Sequence, residues 1–209
     1  MAGCKLRRGG ASRGAMGRFE YLIGLISLVV GLGLTDLAVS LDRLIKQRDR
    51  VKWDGLTLTT AGFAAFTLVW IWYNVWSLKS FEGFSGFWFY LTLLAEMMLL
   101  FLASAASLPD AEGLASGDEL DLRTFYQASK GYIWTLFALF HSSYLLRWLY
   151  FLSMAHKPLT LRVVAYAAMD AAPIVLCVAL AFARPRPVQW ALLAALIGLK
   201  AASVWGVSL

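Results

Sequence analysis

Two opposite charges, Asp170 and Lys200, lie inside the last two apolar runs of this 209-residue chain. The runs meet at Arg184-Pro185-Arg186-Pro187, a tight turn, so they are expected to form an antiparallel hairpin. Each charge stands about 15 residues from the turn, which at ~1.5 Å of rise per residue places both at ~20 Å of depth. Inside hydrocarbon, each would cost roughly 2.5–3.5 kcal/mol on insertion scales. Two chemistries fit such a site. In one, carboxylate and ammonium neutralise each other and hold their helices together. In the other, Asp170 takes up and releases a proton or small cation while Lys200 serves as an internal counter-charge. Pro173 adds to the second, because a proline inside a helix leaves the carbonyl of Met169 without its donor. A freed carbonyl beside a carboxylate resembles the broken-helix ion sites of transporters. The mutual ion pair is the simpler arrangement and the favoured reading.

Four further ionisable groups fall inside apolar runs: Asp36, Glu96, His141 and Arg147, with Asn74 as a neutral companion. Glu96 and His141 each lie about 11 residues from the same side, so they share a depth if their helices are neighbours. Arg147 is nearer the far side, where it can snorkel or meet Glu20 or Glu82. Asp36 sits about two turns from the end of its helix, within reach of Arg43. None of these belongs to a nucleotide-binding, zinc-protease or serine-hydrolase motif. His141 and His156 stand at different depths on one helix, against a paired-histidine haem site. Ser142 and Ser143 beside His141 complete no triad. No metal or other cofactor is therefore expected, and a membrane-embedded enzyme ranks last among the functions.

The elements that must position these groups follow from composition. The chain is 60% hydrophobic and 15% charged, whereas a soluble domain carries about 25% charged residues. The apolar residues form six runs: Phe19 to Leu41, Leu56 to Leu78, Phe84 to Ala106, Tyr132 to Ser153, Leu161 to Ala183 and Val188 to Val207. Each is close to the ~20 residues that cross a bilayer as a helix. The expected fold is an all-α polytopic transmembrane bundle of about six spans over residues 19–209, preceded by a flexible basic tail over 1–18. The acidic loop 107–129 is the longest connection. The first run is too long for a signal-peptide core and lacks a cleavage site, so it is expected to be retained. Cys4 and Cys177 are too differently placed to expect a disulfide.

The net charge of +6 does not imply nucleic acid, because the basic residues cluster at the ends of the runs. There they act as topology signals or contact anionic headgroups. Counted over the whole chain, the two sides tie. Met16-Gly17-Arg18 reads as an alternative start, and counting from there leaves the N-terminus outside and the Lys46-to-Lys52 loop in the cytoplasm. Trp70, Trp72, Tyr73 and Trp76, with Phe84, Phe87, Trp88 and Tyr90 and with Trp148, Tyr150 and Phe151, read as an interfacial belt. Ser27, Gly31 and Thr35, flanked by Gly24 and Ala38, read as a close helix-packing stripe, with Gly33 adding flexibility beside it. Short connections after the second, fourth and fifth runs favour antiparallel neighbours in chain order.

Phe19-Glu20-Tyr21-Leu22 followed by Gly31-Leu32-Gly33-Leu34-Thr35 resembles the opening of a group of uncharacterised bacterial integral membrane proteins. Leu108-Pro109-Asp110 and Asp121-Leu122-Arg123-Thr124-Phe125-Tyr126 are similar to that group's middle loop. The resemblance covers about a third of the chain and implies a bacterial inner-membrane location without supplying an activity. The functional expectation is a small scaffold or regulatory bundle stabilised by buried charge pairs. The alternative is a proton- or ion-coupled carrier or channel using Glu96 and Asp170. Three spans plus three would permit an inverted repeat, although the two halves share no convincing similarity.

Overall fold

A computed structural model describes residues 18–77, 87–109, 119–154 and 160–206. Six helices occupy most of them: α1 (Arg18–Lys46), α2 (Gly55–Ser77), α3 (Phe87–Ala105), α4 (Leu122–Met154), α5 (Leu161–Phe182) and α6 (Arg186–Gly206). The fold is an all-helical bundle. Among the described residues two helices are long and apolar enough to cross a membrane, over Glu20–Lys46 and Gly55–Val75, and Phe89–Ala105 and Ala167–Phe182 form shorter apolar helices. The basic tail with Met16 lies outside the described residues, as do acidic residues 110–118 and the belt residue Phe84.

Polar residues set the helix starts. Asp54 accepts hydrogen bonds from Thr57 N at 3.2 Å and Thr57 Oγ1 at 3.1 Å, which caps α2. Asp121 does the same for α4, accepting from Arg123 N at 2.8 Å and Thr124 Oγ1 at 3.0 Å. Leu122 to Ser129, expected within the loop 107–129, are therefore the first turns of a continuous helix. Between the helices, β1 (Val51–Lys52) and β2 (Leu120–Asp121) pair in parallel, with Val51 opposite Leu120. This short ladder ties the connection after α1 to the entry of α4.

The packing order is not simply sequential. Helix α1 packs against both α2 and α3, α3 against α4, α4 most extensively against α5, and α5 against α6. Phe63 on α2 meets Phe137 on α4 with ring centroids 5.2 Å apart, beside the fully buried Trp134. Hydroxyls within the apolar helices turn back on their own carbonyls: Thr60 to Leu56 O and Thr67 to Phe63 O. They consequently ask nothing of their surroundings. Large apolar side chains also cover the outside, among them Leu28, Val69, Leu146, Val175 and Phe182. These outward apolar side chains are distributed over several helices.

The stripe on α1 is only partly a packing face. Ser27 accepts from Trp72 Nε1 on α2 at 2.9 Å. But Gly24, Ser27, Gly31, Thr35 and Ala38 are exposed, and a Cβ added at Gly24 or Gly31 would meet nothing within 4 Å. Close packing falls instead at Gly33, where a Cβ would stand 3.0 Å from Leu68 Cδ1 and 3.3 Å from Ser104 Oγ. Gly33→Val should therefore cost about 1–3 kcal/mol by overpacking, while Gly31→Val should stay within about 0.5 kcal/mol. Thermal unfolding of the two variants in the same detergent measures the contrast.

Candidate functional site

The interior ionisable groups come from α3 to α6. On α3, Glu96 is fully buried, and Arg147 on α4 reaches it side-on. Arg147 Nε donates to Glu96 Oε1 at 2.9 Å, and Nη2 lies 2.8 Å from Oε2. The second contact is an ion pair without the alignment of a hydrogen bond. The guanidinium carbon also stands 5.2 Å from the centre of the Tyr144 ring, one turn back on α4. Arg147 thus meets Glu96, not Glu20. Glu82, its other expected partner, lies outside the described residues.

Lys200 on α6 is buried, and its ammonium sits 3.9 Å from the centre of the Trp70 ring on α2. A desolvated cation over tryptophan gains about 2 kcal/mol. Trp70 in turn packs on Tyr144, with centroids 5.6 Å apart. Trp70 is half-buried, while Trp72, Tyr73 and Tyr150 of the expected interfacial belt are exposed. Asp170 is half-buried on α5, near enough that it and Lys200 lie in each other's electrostatic field. No ion pair within 4.0 Å joins their side chains among the described residues. Among the described residues the buried ion pair is Glu96–Arg147. The expected mutual pair is thus replaced by a cation–ring contact with a carboxylate at longer range. Pro173 sits within a continuous α5.

His141 is buried on α4, and its Nδ1 lies 2.8 Å from Phe137 O. A carbonyl only accepts, so the proton is on Nδ1, and Nε2 keeps a lone pair with no hydrogen-bond partner. No hydrogen bond joins it to Glu96 among the described residues. Ser142 and Ser143 donate to Ala138 O and Phe140 O on their own helix, which leaves His141 without a serine partner. Asn74 likewise donates to Trp70 O. Asp36 stands apart on α1, half-buried, with no ion pair to Arg43 among the described residues. No group of His, Cys, Asp or Glu that could hold a metal ion occurs among the described residues.

A second polar cluster, at the Asp54 end, was not anticipated. Asp54 pairs with Arg186 at the start of α6, and Thr57 Oγ1 lies 3.0 Å from Leu122 O. Burial alone would raise the Asp54 carboxyl, but the Arg186 guanidinium and the Thr57 donors outweigh it and hold it below the ordinary carboxylate range. Gln127 Nε2 donates to Gln189 Oε1 at 3.1 Å. Lys130 Nζ and Gln189 Nε2 both donate to Ala183 O, closing the C-terminus of α5. The sequence signal for this cluster was an acid immediately before an apolar run, which is a helix-cap pattern rather than a site pattern.

The molecule is thus an all-helical bundle with two helices, among the described residues, long and apolar enough to cross a membrane, and with a few polar groups inside an apolar core. No protein-family model, curated protein or solved structure matches it.

Proposed function

We propose that the chain is a six-span integral membrane protein of the bacterial inner membrane, of the uncharacterised group its opening and central motifs resemble. In this reading it works as a small scaffold or regulatory bundle whose interior charges fix helix pairing. The observation that carries it is the Glu96–Arg147 pair, with side chains 0% and 9% exposed. A dry, closed pair holds two helices in one register, whereas a transport site must open to water. The N-terminus is taken to face out, with the Lys46-to-Lys52 loop in the cytoplasm.

A specific observation favours a second reading, a proton- or ion-coupled carrier using Glu96 and Asp170 with Lys200 as counter-charge. No ion pair within 4.0 Å joins Asp170 to Lys200 among the described residues, and the nearby His141 Nε2 lone pair is unsatisfied. Asp170→Asn and Lys200→Met, singly and together, separate the two. The scaffold predicts altered unfolding and no proton or cation flux into liposomes from any of the four proteins. Flux that depends on Asp170 would replace it with the carrier.

A further inference from the structure

The Asp54 end of the bundle carries guanidinium groups that the fold does not use. Arg43, Arg50, Arg123 and Arg184 are exposed, and no ion pair within 4.0 Å answers them among the described residues. The neighbouring cations behave differently: Lys46 pairs with Asp42, Lys52 with Glu119 and Arg186 with Asp54. Three contacts gather Arg50, Arg123 and Arg184 onto one end. The Val51–Leu120 ladder joins the segment after Arg50 to the segment before Arg123. Thr57 reaches the Leu122 carbonyl, and Asp54 reaches Arg186, two residues past Arg184.

Helices α2, α4 and α6 begin at this end while α1 and α5 end there, so Arg43 in the last turn of α1 and Arg184 just past α5 stand where the helix dipole favours a cation. Arg123 adds a cation to the first turn of α4, where the dipole disfavours it. An anion at this end would offset that repulsion. Two tryptophans mark its level. Trp53 is 43% exposed and Trp190 is 40% exposed, with the Trp190 ring so close to Gly55 that a Cβ there would meet it at 3.3 Å. Exposed tryptophans beside arginines at the mouth of apolar helices are the composition of the headgroup layer.

We propose that this end binds anionic phospholipid headgroups, with Arg50, Arg123 and Arg184 taking the phosphates and Trp53 and Trp190 seated among the glycerol backbones. The proposal rests on the membrane reading above. Arg43, at the last turns of α1, extends the same rim. The competing anion is the chain's own, since residues 110–118 include Asp110, Glu112 and Asp118.

The full chain in phosphatidylcholine nanodiscs containing a minority of phosphatidylglycerol provides the test, with spin-labelled phosphatidylglycerol or phosphatidylcholine as reporter. Labelled phosphatidylglycerol should be immobilised preferentially, and the preference should fall as salt is raised. Each arginine replaced by glutamine should weaken it about fivefold. R50Q/R123Q/R184Q should abolish it while leaving helicity unchanged, because these side chains touch no counter-charge. Equal immobilisation of both lipids, or a preference that survives the triple variant, overturns the proposal while the membrane reading stands. A preference that emerges only in D110N/E112Q/D118N assigns the arginines to the chain's own acids and also overturns it. A protein that stays soluble without detergent and enters neither bilayer fails the membrane reading itself.

Discussion

Arg147→Met is expected to lower the stability of the bundle by about 3–5 kcal/mol, the usual cost of stranding one partner of a buried ion pair. Glu96 has no alternative counter-charge, because the described contacts to its carboxylate come from Arg147. Left alone, it must either stay charged in an apolar surrounding or take up a proton. Glu96→Met should be equally damaging, since it strands a guanidinium 9% exposed. The double variant Glu96→Met/Arg147→Met should recover most of the loss, as apolar replacement of whole buried pairs often does. Unfolding of the four proteins in one detergent forms a double-mutant cycle. A coupling energy near zero would mean that the pair does not hold α3 to α4. Rescue in the double variant, with function intact, would separate this pair from any proton pathway.

Why Glu96 pairs with Arg147, and not with a group at its own depth, explains what the sequence could reveal. Six apolar runs are legible because a helix must be continuously apolar to be covered on all sides, and each run lies on one helix. Helix α1 nevertheless extends five residues past its run, and α4 begins ten residues before its own, inside the expected loop 107–129. Depth along each run is also legible. Rotation about the helix axis is not, because each residue turns the side chain by about 100° and neighbouring helices supply the reference. Glu96 and His141 match in depth, yet the carboxylate meets the residue six positions further along α4, about 9 Å away in rise, through a long arginine stem. The same blindness placed the α1 stripe in a close helix contact. Spacing shows which residues share a face, while Leu68 and Ser104 decide that the contacting face holds Gly33. Trp70 was legible as a residue near a helix end, but its turn inward onto Lys200 depends on α6, distant in sequence. The two-residue ladder left no sequence trace, since two residues are too few to show a period.

Asp54 is where the second large effect is expected, because one carboxylate serves three helices. It caps α2 through Thr57, pairs with Arg186 on α6, and stands beside the Thr57 contact to the Leu122 carbonyl that opens α4. Asp54→Ala removes both the cap, typically ~1 kcal/mol, and the charge facing a partly buried guanidinium. A total loss of about 2–3 kcal/mol follows. Asp54→Asn should cost less, because asparagine caps nearly as well and forfeits only the ion pair. The pH dependence has a definite sign. The folded-state carboxyl is held below its unfolded value, near 3.9. Its contribution is therefore full at neutral pH and above, and is lost as the pH falls below about 4 through the folded-state value. Unfolding measured from pH 7 down to pH 3 should show wild-type stability falling towards that of Asp54→Asn on the acid side. A constant gap between them across that range would mean that the Asp54 charge contributes nothing and that the cap alone orders this end. The result also bears on the arginine rim. If protonating Asp54 loosens α6 from α2, Arg186 joins Arg184 as an uncompensated cation, and affinity of this end for anionic headgroups should rise as the pH falls.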